Sequence, residues 1–361
     1  MLDKQKRWLA FYLLCAGEFM IVIDTTIINV ALPSIQADLA FSEAALVWVV
    51  NAYMVTYGGF LLLGGRLGDL YGQRRLFLAG TALFTVASLV CGLSNTRELL
   101  VGARAVQGLG GAVVSAIALS LIMNLFSEAA DRAKAMGIYG FICAGGGSVG
   151  VLAGGLLTST LSWHWVFLVN LPIGALVCAL CFTLLAPDRA QAAAARLDVS
   201  GAVTVTAAST LAVYAIVNGN FWLLAVAAAL FAAFLAIEAR VRDPLMPLRL
   251  FRLRSVAIAN VVGVLWAAAM FAWFFISALY MQLVLGYDPM QIGLAFLPAN
   301  IIMAIFSIGL SAKLVMRFGL RPPIIGGMLL AAAGLALFAL APAGGGFVVH
   351  VLPGMLLLGL G

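Results

Sequence analysis

The sequence predicts an all-α, polytopic membrane protein. Of its 361 residues, 64% are hydrophobic and 9% are charged. Uncharged apolar runs recur along the whole chain, and the mean hydropathy is +1.13. One soluble core cannot bury so much apolar surface, whereas a bilayer accepts it. The net charge of +6 is dispersed through short loops, a distribution typical of membrane topology, so we expect no nucleic-acid partner.

Twelve apolar segments are predicted as spans. The first six lie at 8–32, 46–65, 76–94, 99–124, 135–158 and 164–186. The second six lie at 199–218, 220–238, 256–282, 290–312, 322–341 and from 347 onward. The last segment covers roughly 22 Å of helix, less than a hydrocarbon layer of about 30 Å. We therefore expect the sequence to be part of a longer protein.

The basic residues predict the orientation of these spans. If the N-terminus is cytoplasmic, eighteen of the 20 Lys and Arg residues fall in cytoplasmic segments. Arg97 alone falls outside, and Arg104 lies within the fourth span. This asymmetry follows the positive-inside rule and predicts a cytoplasmic N-terminus.

Neither an enzyme nor a metal site is expected. We find no nucleophile elbow, phosphate-binding loop or dinucleotide fingerprint. All five cysteines fall in apolar spans, where we expect them to be small packing residues. Cys178 and Cys181 have the spacing of metal ligands but lack a second ligand pair. His164 and His350 lie far apart in the sequence.

Three charged side chains interrupt the core spans, namely Glu18 and Asp24 in the first and Arg104 in the fourth. A charge at mid-membrane costs roughly 2.5 to 3.5 kcal/mol even on a mild insertion scale, so each needs a partner or a wet cavity. Asp24 and Arg104 are predicted at similar depths, about 12 and 8 Å below the outer ends of their spans. They can form a structural salt bridge or a titratable pair on a transport path. Glu18 either faces the same cavity or is protonated against a neighbouring group.

Several motifs resemble those of a known family. GGRLGDLYGQRR at 64–75 resembles the signature loop of the major facilitator superfamily, and RAVQGLGGA at 104–112 resembles its fourth-span motif. IDTTIINVALP at 23–33 resembles the first-span motif of its fourteen-span drug/proton antiporters, the EmrB/QacA type. SWHWVFLVNLPIG at 162–174 and DPLMPLRLFRLRS at 243–255 look like further hallmarks of that branch. The resemblance covers essentially the whole chain.

The resemblance implies a major facilitator fold with two extra central spans and an incomplete C-terminal part. Residues 1–187 would form the N-terminal six-helix half. Residues 188–255 would hold an inserted helix pair with cytoplasmic linkers, and 256–361 four of the six spans of the C-terminal half. The implied location is the bacterial cytoplasmic (inner) membrane.

The resemblance also implies a function, which is the export of lipophilic, cationic drugs in exchange for protons by alternating access. The proton gradient would supply the energy without a cofactor, with Asp24, Arg104 and Glu18 coupling the proton. The partners would be the small-molecule substrate, protons, the lipid bilayer and a periplasmic adaptor protein. Two alternatives stay open. One is an exporter or uniporter of a metabolite or siderophore without strict antiport, and the other is a non-transporting sensor or assembly partner.

The signature loop is expected to control gating. Gly65, Gly68 and Gly72 permit close helix approach and a tight turn, while Asp69 can cap a helix or pair with Arg74. Such contacts form on one face of the protein and must break when it opens there. We therefore assign Gly65, Asp69, Gly72 and Arg74 to gating, alongside the topological anchoring that Arg74 provides.

The fifth span is predicted to carry a groove for helix packing. Gly146, Gly150 and Gly154 lie four residues apart, with Gly155 next to them, and so line one helix face. This resembles the antiporter motif of the branch. That motif usually has Pro after the second glycine, whereas this chain has Val151, which keeps the backbone N–H and removes the expected kink. Because of this difference, the motif in this chain does not by itself predict strict coupling of transport to protons.

Substrate-binding residues are predicted among aromatic and polar side chains of spans two, five and nine. Aromatic and Met side chains with few polar groups suit lipophilic, often cationic, compounds. Lipid-facing or interhelix packing is the alternative for each of them. The predicted set is Asn51, Tyr53, Tyr139, Trp266, Phe271, Phe274 and Gln282, and span nine also holds Met270, Trp273 and Tyr280.

Two further features are expected. YGQRR at 71–75 is echoed by FGLRP at 318–322, as expected for two halves related as parallel repeats. The segment 243–255 is typical of a short helix in the inner interface, with Asp243 as a cap before Pro244 and a linking role.

Overall fold

The computed structural model describes residues 4–188, 198–241, 244–306, 310–342 and 344–361. This part of the chain is built from helices and contains no strand, which confirms the predicted all-α class. Some predicted features lie outside the described residues. They are three of the eighteen basic residues counted as cytoplasmic, Arg189, Arg196 and Arg242, and the predicted cap Asp243.

Fourteen α-helices follow one another in the described residues. The first seven are α1 (Lys4–Asp38), α2 (Glu43–Tyr71), α3 (Gln73–Gly92), α4 (Arg97–Leu125), α5 (Ala129–Thr160), α6 (Trp165–Leu168) and α7 (Asn170–Leu184). The others are α8 (Val199–Val217), α9 (Phe221–Glu238), α10 (Arg254–Leu283), α11 (Pro289–Ile305), α12 (Ser311–Phe318), α13 (Arg321–Ala339) and α14 (Leu352–Leu360). A 3-10 turn (Leu248–Arg252) precedes α10, and a π-helical turn (Phe347–Val351) precedes α14.

The helices are those of a multi-pass membrane protein. Among the described residues, ten helical segments are long and apolar enough to cross a membrane, and two shorter apolar helices lie at Met290–Met303 and Phe347–Leu360. Each of the twelve predicted spans therefore overlaps at least one helix, and 164–186 and 290–312 each overlap two. Helix α1 continues past Pro33 to Asp38, beyond its predicted end at residue 32. Ile35 in this extension is fully buried, so packing maintains the helix despite the backbone donor that proline lacks.

Local sequence explains several helix boundaries. Four helices begin at a polar residue whose side chain accepts the N–H of the residue three positions on: Ser42, Asp198, Asn220 and Asp288. Each cap satisfies a donor that the helix itself leaves unpaired. Gly72 and Gly319 stand at matching positions of the echoed motifs, with φ of 103° and 77°. Both conformations favour glycine, so each motif ends its helix in the same way.

The described chain divides into two compact units. One comprises Met1–Asp24, Ala31–Leu125 and Leu161–Arg252. In it α4 packs against both α2 and α3, α7 packs on α3, and α8 packs on α2 and forms a hairpin with α9. Glycines allow the close approach to α4, because a Cβ at Gly110 would lie 2.7 Å from the amide nitrogen of Phe84 on α3.

The predicted inserted pair, α8 and α9, packs within this first unit. Thr206 on α8 donates a hydrogen bond to the carbonyl oxygen of Gly59 on α2 at 2.9 Å. Glu238, the last residue of α9, accepts the N–H groups of Leu245 and Met246 at 3.3 and 2.8 Å. These bonds join the end of α9 to the first part of the linker that leads to α10.

The other unit comprises Thr25–Val30, Phe126–Thr160 and Leu253–Gly361. Helix α5 packs against α11 and α12, and α14 packs against α11 and α13. The buried core of this unit includes Trp273, Met281, Phe296, Val351 and Met355.

Candidate functional site

A polar cluster lies inside the first unit, where helices α1, α3, α4 and α7 meet. We define it as Asp24, Ser88, Arg104, Gln107 and Asn170. Asp24 and Arg104 are both 0% exposed. Arg104 Nη1 donates a hydrogen bond to Asp24 Oδ2 at 2.5 Å. The two charges that the sequence placed at similar depth therefore form a buried ion pair.

Two amides hold the second oxygen of the carboxylate. Asp24 Oδ1 accepts from Gln107 Nε2 at 2.8 Å and from Asn170 Nδ2 at 3.0 Å. Both amides also donate to Ser88 Oγ, at 3.2 and 3.0 Å. The Ser88 hydroxyl in turn donates to the carbonyl oxygen of Phe167 at 2.9 Å. Asp24 is thus oriented by three donors from two other helices, α4 and α7.

Arg104 has further contacts that do not involve Asp24. Its Nε donates to the carbonyl oxygen of Val49 at 3.0 Å, and its Nη1 also donates to Gln107 Oε1 at 2.7 Å. The guanidinium carbon lies 4.3 Å from the centre of the Tyr53 ring, within cation–π range. Arginine stays protonated in proteins, so the Arg104 side of the pair keeps its positive charge.

Three buried polar atoms around the pair have no hydrogen-bond partner among the described residues: Arg104 Nη2, Tyr53 Oη and Asn170 Oδ1. Buried polar groups are nearly always paired, and an unpaired one costs about 1 to 3 kcal/mol. The cluster therefore has unused hydrogen-bonding capacity next to the ion pair.

The sequence identified the ion pair but not the residues that complete the cluster. Glu18 is also buried on α1. Ser88, Gln107 and Asn170 were not predicted, although Gln107 and Asn170 fall inside motifs that the sequence analysis singled out. The available signal was an amide side chain in an otherwise apolar span, which costs free energy unless it is hydrogen-bonded.

The signature loop has a different cap from the one expected. Asp188 Oδ1 and Oδ2 accept the N–H groups of Arg74 and Arg75 at 2.9 and 3.1 Å, which caps the start of α3. Asp69 is exposed, with its Oδ1 3.4 Å from Gln73 Nε2. Arg74 Nη2 donates to the carbonyl oxygen of Phe182 at 2.9 Å. Asp188 therefore provides the cap considered for Asp69, and the gating role of Asp69 and Arg74 stays a prediction.

The glycines of this loop differ in how closely they are packed. A Cβ at Gly64 would lie 3.1 Å from Val113 Cα, and one at Gly68 would lie 3.1 Å from Ile117 Cγ1. At Gly65 the nearest atom would be 3.9 Å away, an ordinary contact. Close approach of α2 to α4 thus depends on Gly64 and Gly68, whereas Gly72 forms the turn.

We expect Asp188→Ala to lower stability more than Asp69→Ala. The first change removes the acceptor of two N–H groups at the start of α3, which is worth about 1 kcal/mol for a typical helix cap. The second removes an exposed side chain. Thermal unfolding in detergent measures both variants, and equal melting temperatures would contradict the assigned cap.

The glycine face of α5 is packed at its middle positions. Gly146, Gly150 and Gly154 are buried, and a Cβ at Gly154 would lie 2.7 Å from the carbonyl oxygen of Ile27. A Cβ placed at Gly155 would meet no other atom of the described residues within 4 Å. Helix α5 runs unbroken through Val151. This is expected because valine, unlike proline, keeps the backbone N–H that the helix uses.

The predicted substrate-binding residues are not equally buried. Tyr53 is fully buried under Arg104, and Asn51, Tyr139 and Phe274 are partly buried. Trp266 and Phe271 are 42% and 74% exposed, and Gln282 is exposed. On α10 the buried aromatic residue is Trp273, which is 3% exposed and contacts Phe274. Substrate binding by the predicted set therefore stays a prediction.

Comparison with known proteins gives consistent matches. Residues 14–361 match the family described as Major Facilitator Superfamily. The puromycin resistance protein pur8 of Streptomyces alboniger is 38% identical over 366 residues, with 99% of this chain and 73% of the relative covered. The cephamycin export protein CmcT of Amycolatopsis lactamdurans is 40% identical over 337 residues, with 90% of this chain and 69% of the relative covered.

A solved structure shows the same fold. The proton:xylose symporter XylE, bound to 6-bromo-6-deoxy-D-glucose, superposes with a TM-score of 0.69 at 15% sequence identity. The superposition covers 99% of this chain and 80% of XylE. At this identity the match is informative about the fold alone.

Proposed function

This chain belongs to the major facilitator superfamily, and from that premise we propose that it exports lipophilic small molecules in exchange for protons. It is a transporter and not an enzyme. The names of the two relatives describe puromycin resistance and cephamycin export, which supports export of antibiotic-like molecules here. The observation that carries proton coupling is the buried Asp24–Arg104 pair, because a titratable acid at this depth needs a functional or structural reason.

We propose that the charge on Asp24 controls how firmly α1 is held. When Asp24 is ionised, it joins α1 to α4 through Arg104 and Gln107 and to α7 through Asn170. Protonation removes the negative charge opposite Arg104. Arg104 keeps its bond to Val49 on α2 and its contact with Tyr53. Protonation therefore weakens the hold on α1 while α2 and α4 stay joined.

Asp24 directly precedes Thr25–Val30, the one stretch of α1 that groups with the second unit, whereas α1 groups with the first unit again from Ala31. We propose that a change in the hold at Asp24 acts on this stretch during alternating access. A ligand shifts a conformational equilibrium only through different affinities for the two states. In the state described here Asp24 is fully buried, so we propose that a proton binds in an alternative state where the cluster is wet.

The proposal includes the finer assignments suggested by the motifs. We place the chain in the fourteen-span EmrB/QacA branch, because α8 and α9 form an apolar hairpin between α7 and α10. We place it in the bacterial cytoplasmic membrane with a cytoplasmic N-terminus, on the distribution of Lys and Arg. A preference for cations and a periplasmic adaptor partner are further parts of the proposal.

One observation favours a second candidate function. Helix α5 is unbroken at Val151, where the antiporter branch usually has a proline. An exporter or uniporter of a metabolite or siderophore without strict proton antiport is compatible with this difference.

Transport in proteoliposomes tests both candidates. Vesicles with an acidic interior are diluted into alkaline buffer that contains radiolabelled puromycin, with protein-free vesicles as the control. We expect puromycin to accumulate above the control and a protonophore to abolish the accumulation. Accumulation that resists the protonophore would overturn the antiport and favour the second candidate. No accumulation of puromycin or of other antibiotics would overturn drug export.

A further inference from the structure

A small aromatic pocket lies in the second unit among α10, α11 and α14. Its cavity has a volume of about 10 Å³. The side chains that form most of its wall are three aromatic and three methionine residues: Trp273, Phe274, Phe296, Met270, Met303 and Met355. The pocket is separate from the polar cluster, which belongs to the first unit.

The three rings form a preorganised wall. Trp273 meets Phe274 with 4.8 Å between ring centroids and Phe296 with 5.7 Å, at interplanar angles of 65° and 87°. Phe274 and Phe296 lie 5.2 Å apart. Edge-to-face and tilted contacts of this kind are favourable ring geometries. An apolar or aromatic group that enters the pocket therefore meets ring surfaces that are already oriented.

One polar atom of this wall is unpaired. Trp273 is 3% exposed, and its Nε1 has no hydrogen-bond partner among the described residues. A buried indole N–H usually has an acceptor. The N–H of Trp273 therefore lacks an acceptor in the described part of the chain, and a ligand supplies one only when the pocket widens to expose this buried atom.

The pocket also selects by charge. Among the described residues that line it there is no Asp, Glu, Lys or Arg, and Asn300 contributes an amide side chain. A charged group here would lose its hydration without gaining a counter-ion. The ligand group that suits these walls is therefore uncharged.

On the basis of the function proposed above, we propose that this pocket binds an uncharged aromatic part of the exported molecule, with a hydrogen-bond acceptor facing Trp273 Nε1. Carbonyl and ether oxygens are acceptors of this class. The present cavity, at about 10 Å³, has room for one water-sized group at most. Met270, Met303 and Met355 line it, and unbranched methionine side chains can rearrange to admit a larger ring.

Benzophenone and diphenylmethane form a probe pair that tests the acceptor, because they differ by one carbonyl oxygen. Their binding to the purified full chain is measured by equilibrium dialysis in the same detergent. We expect the protein to prefer benzophenone by about tenfold, the value of one neutral hydrogen bond. Trp273→Phe keeps a ring and removes the N–H. In this variant we expect the ratio of the affinities for benzophenone and diphenylmethane to fall to about one.

Trp222→Phe is the control, because it makes the same chemical change outside the pocket. Trp222 lies on α9 in the first unit and is 77% exposed. We expect this variant to keep the wild-type preference. An unchanged preference in Trp273→Phe, or no binding of either probe to the wild type, would overturn the proposal. Failure of the proposed function would be seen separately, as absent puromycin transport by wild-type proteoliposomes.

Discussion

Asp24→Asn is expected to abolish proton-driven export. The amide is close in size to the carboxylate but cannot bind and release a proton, so the step that couples the gradient to α1 is lost. We expect puromycin accumulation under a pH gradient to fall at least tenfold, to the level of protein-free vesicles. Accumulation at the wild-type rate would remove Asp24 from the coupling role.

A structural role of the ion pair needs its own control, because Asp24→Asn also leaves Arg104 buried without its counter-ion. Breaking a buried pair in this way costs about 3 to 5 kcal/mol in typical proteins. The double variant Asp24→Asn/Arg104→Gln removes both charges. We expect its melting temperature to recover toward the wild type while export stays absent. If export recovers together with stability, the pair is a structural salt bridge and not a proton-coupling site.

Gly108→Ala is expected to destabilise the packing of α4 against α2. A methyl group at this position would overlap Thr56 Oγ1 and the carbonyl oxygen of Tyr53, both on α2. Thr56 Oγ1 also donates to the carbonyl oxygen of Ala105 on α4 at 2.7 Å, and the methyl group would disrupt that interhelix bond. Overpacking of this kind costs about 1 to 3 kcal/mol or more.

The same change is expected to impair function. Moving α2 away from α4 displaces Val49 and Tyr53, which contact Arg104. We therefore expect a lower melting temperature in detergent, a smaller yield of monodisperse protein and weaker export. Gly102→Ala on the same helix is the control, because in the described part of the chain no neighbouring atom lies within 4 Å of its added Cβ. Equal melting temperatures for the two variants would show that the contact at Gly108 does not limit packing.

Much of the fold could be predicted because membrane insertion depends on local composition. Each predicted span overlaps at least one helix, since a stretch of about 20 apolar residues is sufficient to define one in a bilayer. The pairing of Asp24 with Arg104 was among the expectations for a similar reason. Two opposite charges at similar depths in an apolar layer have few other partners.

The surroundings of that pair depended on helix packing. Gln107 and Asn170 lie on different helices, and their positions relative to Asp24 follow from how α1, α4 and α7 are rotated and tilted. Composition does not specify those angles. The cap of α3 is a similar case, because Asp188 is 114 residues away from Arg74 in the sequence, whereas Asp69 was the near candidate.

The aromatic residues of α10 show most clearly what the sequence determines and what only the tertiary structure decides. Trp266 and Trp273 are spaced by seven residues and so share a helix face, and both are apolar enough for a membrane span. Their exposures nevertheless differ, at 42% and 3%. Sequence alone determined that this helix is apolar and aromatic. The tertiary structure decided which ring is enclosed. Phe296 of α11 contacts Trp273, and Met355 of α14 belongs to the same buried cluster; burial requires such neighbours, which a single helix cannot provide.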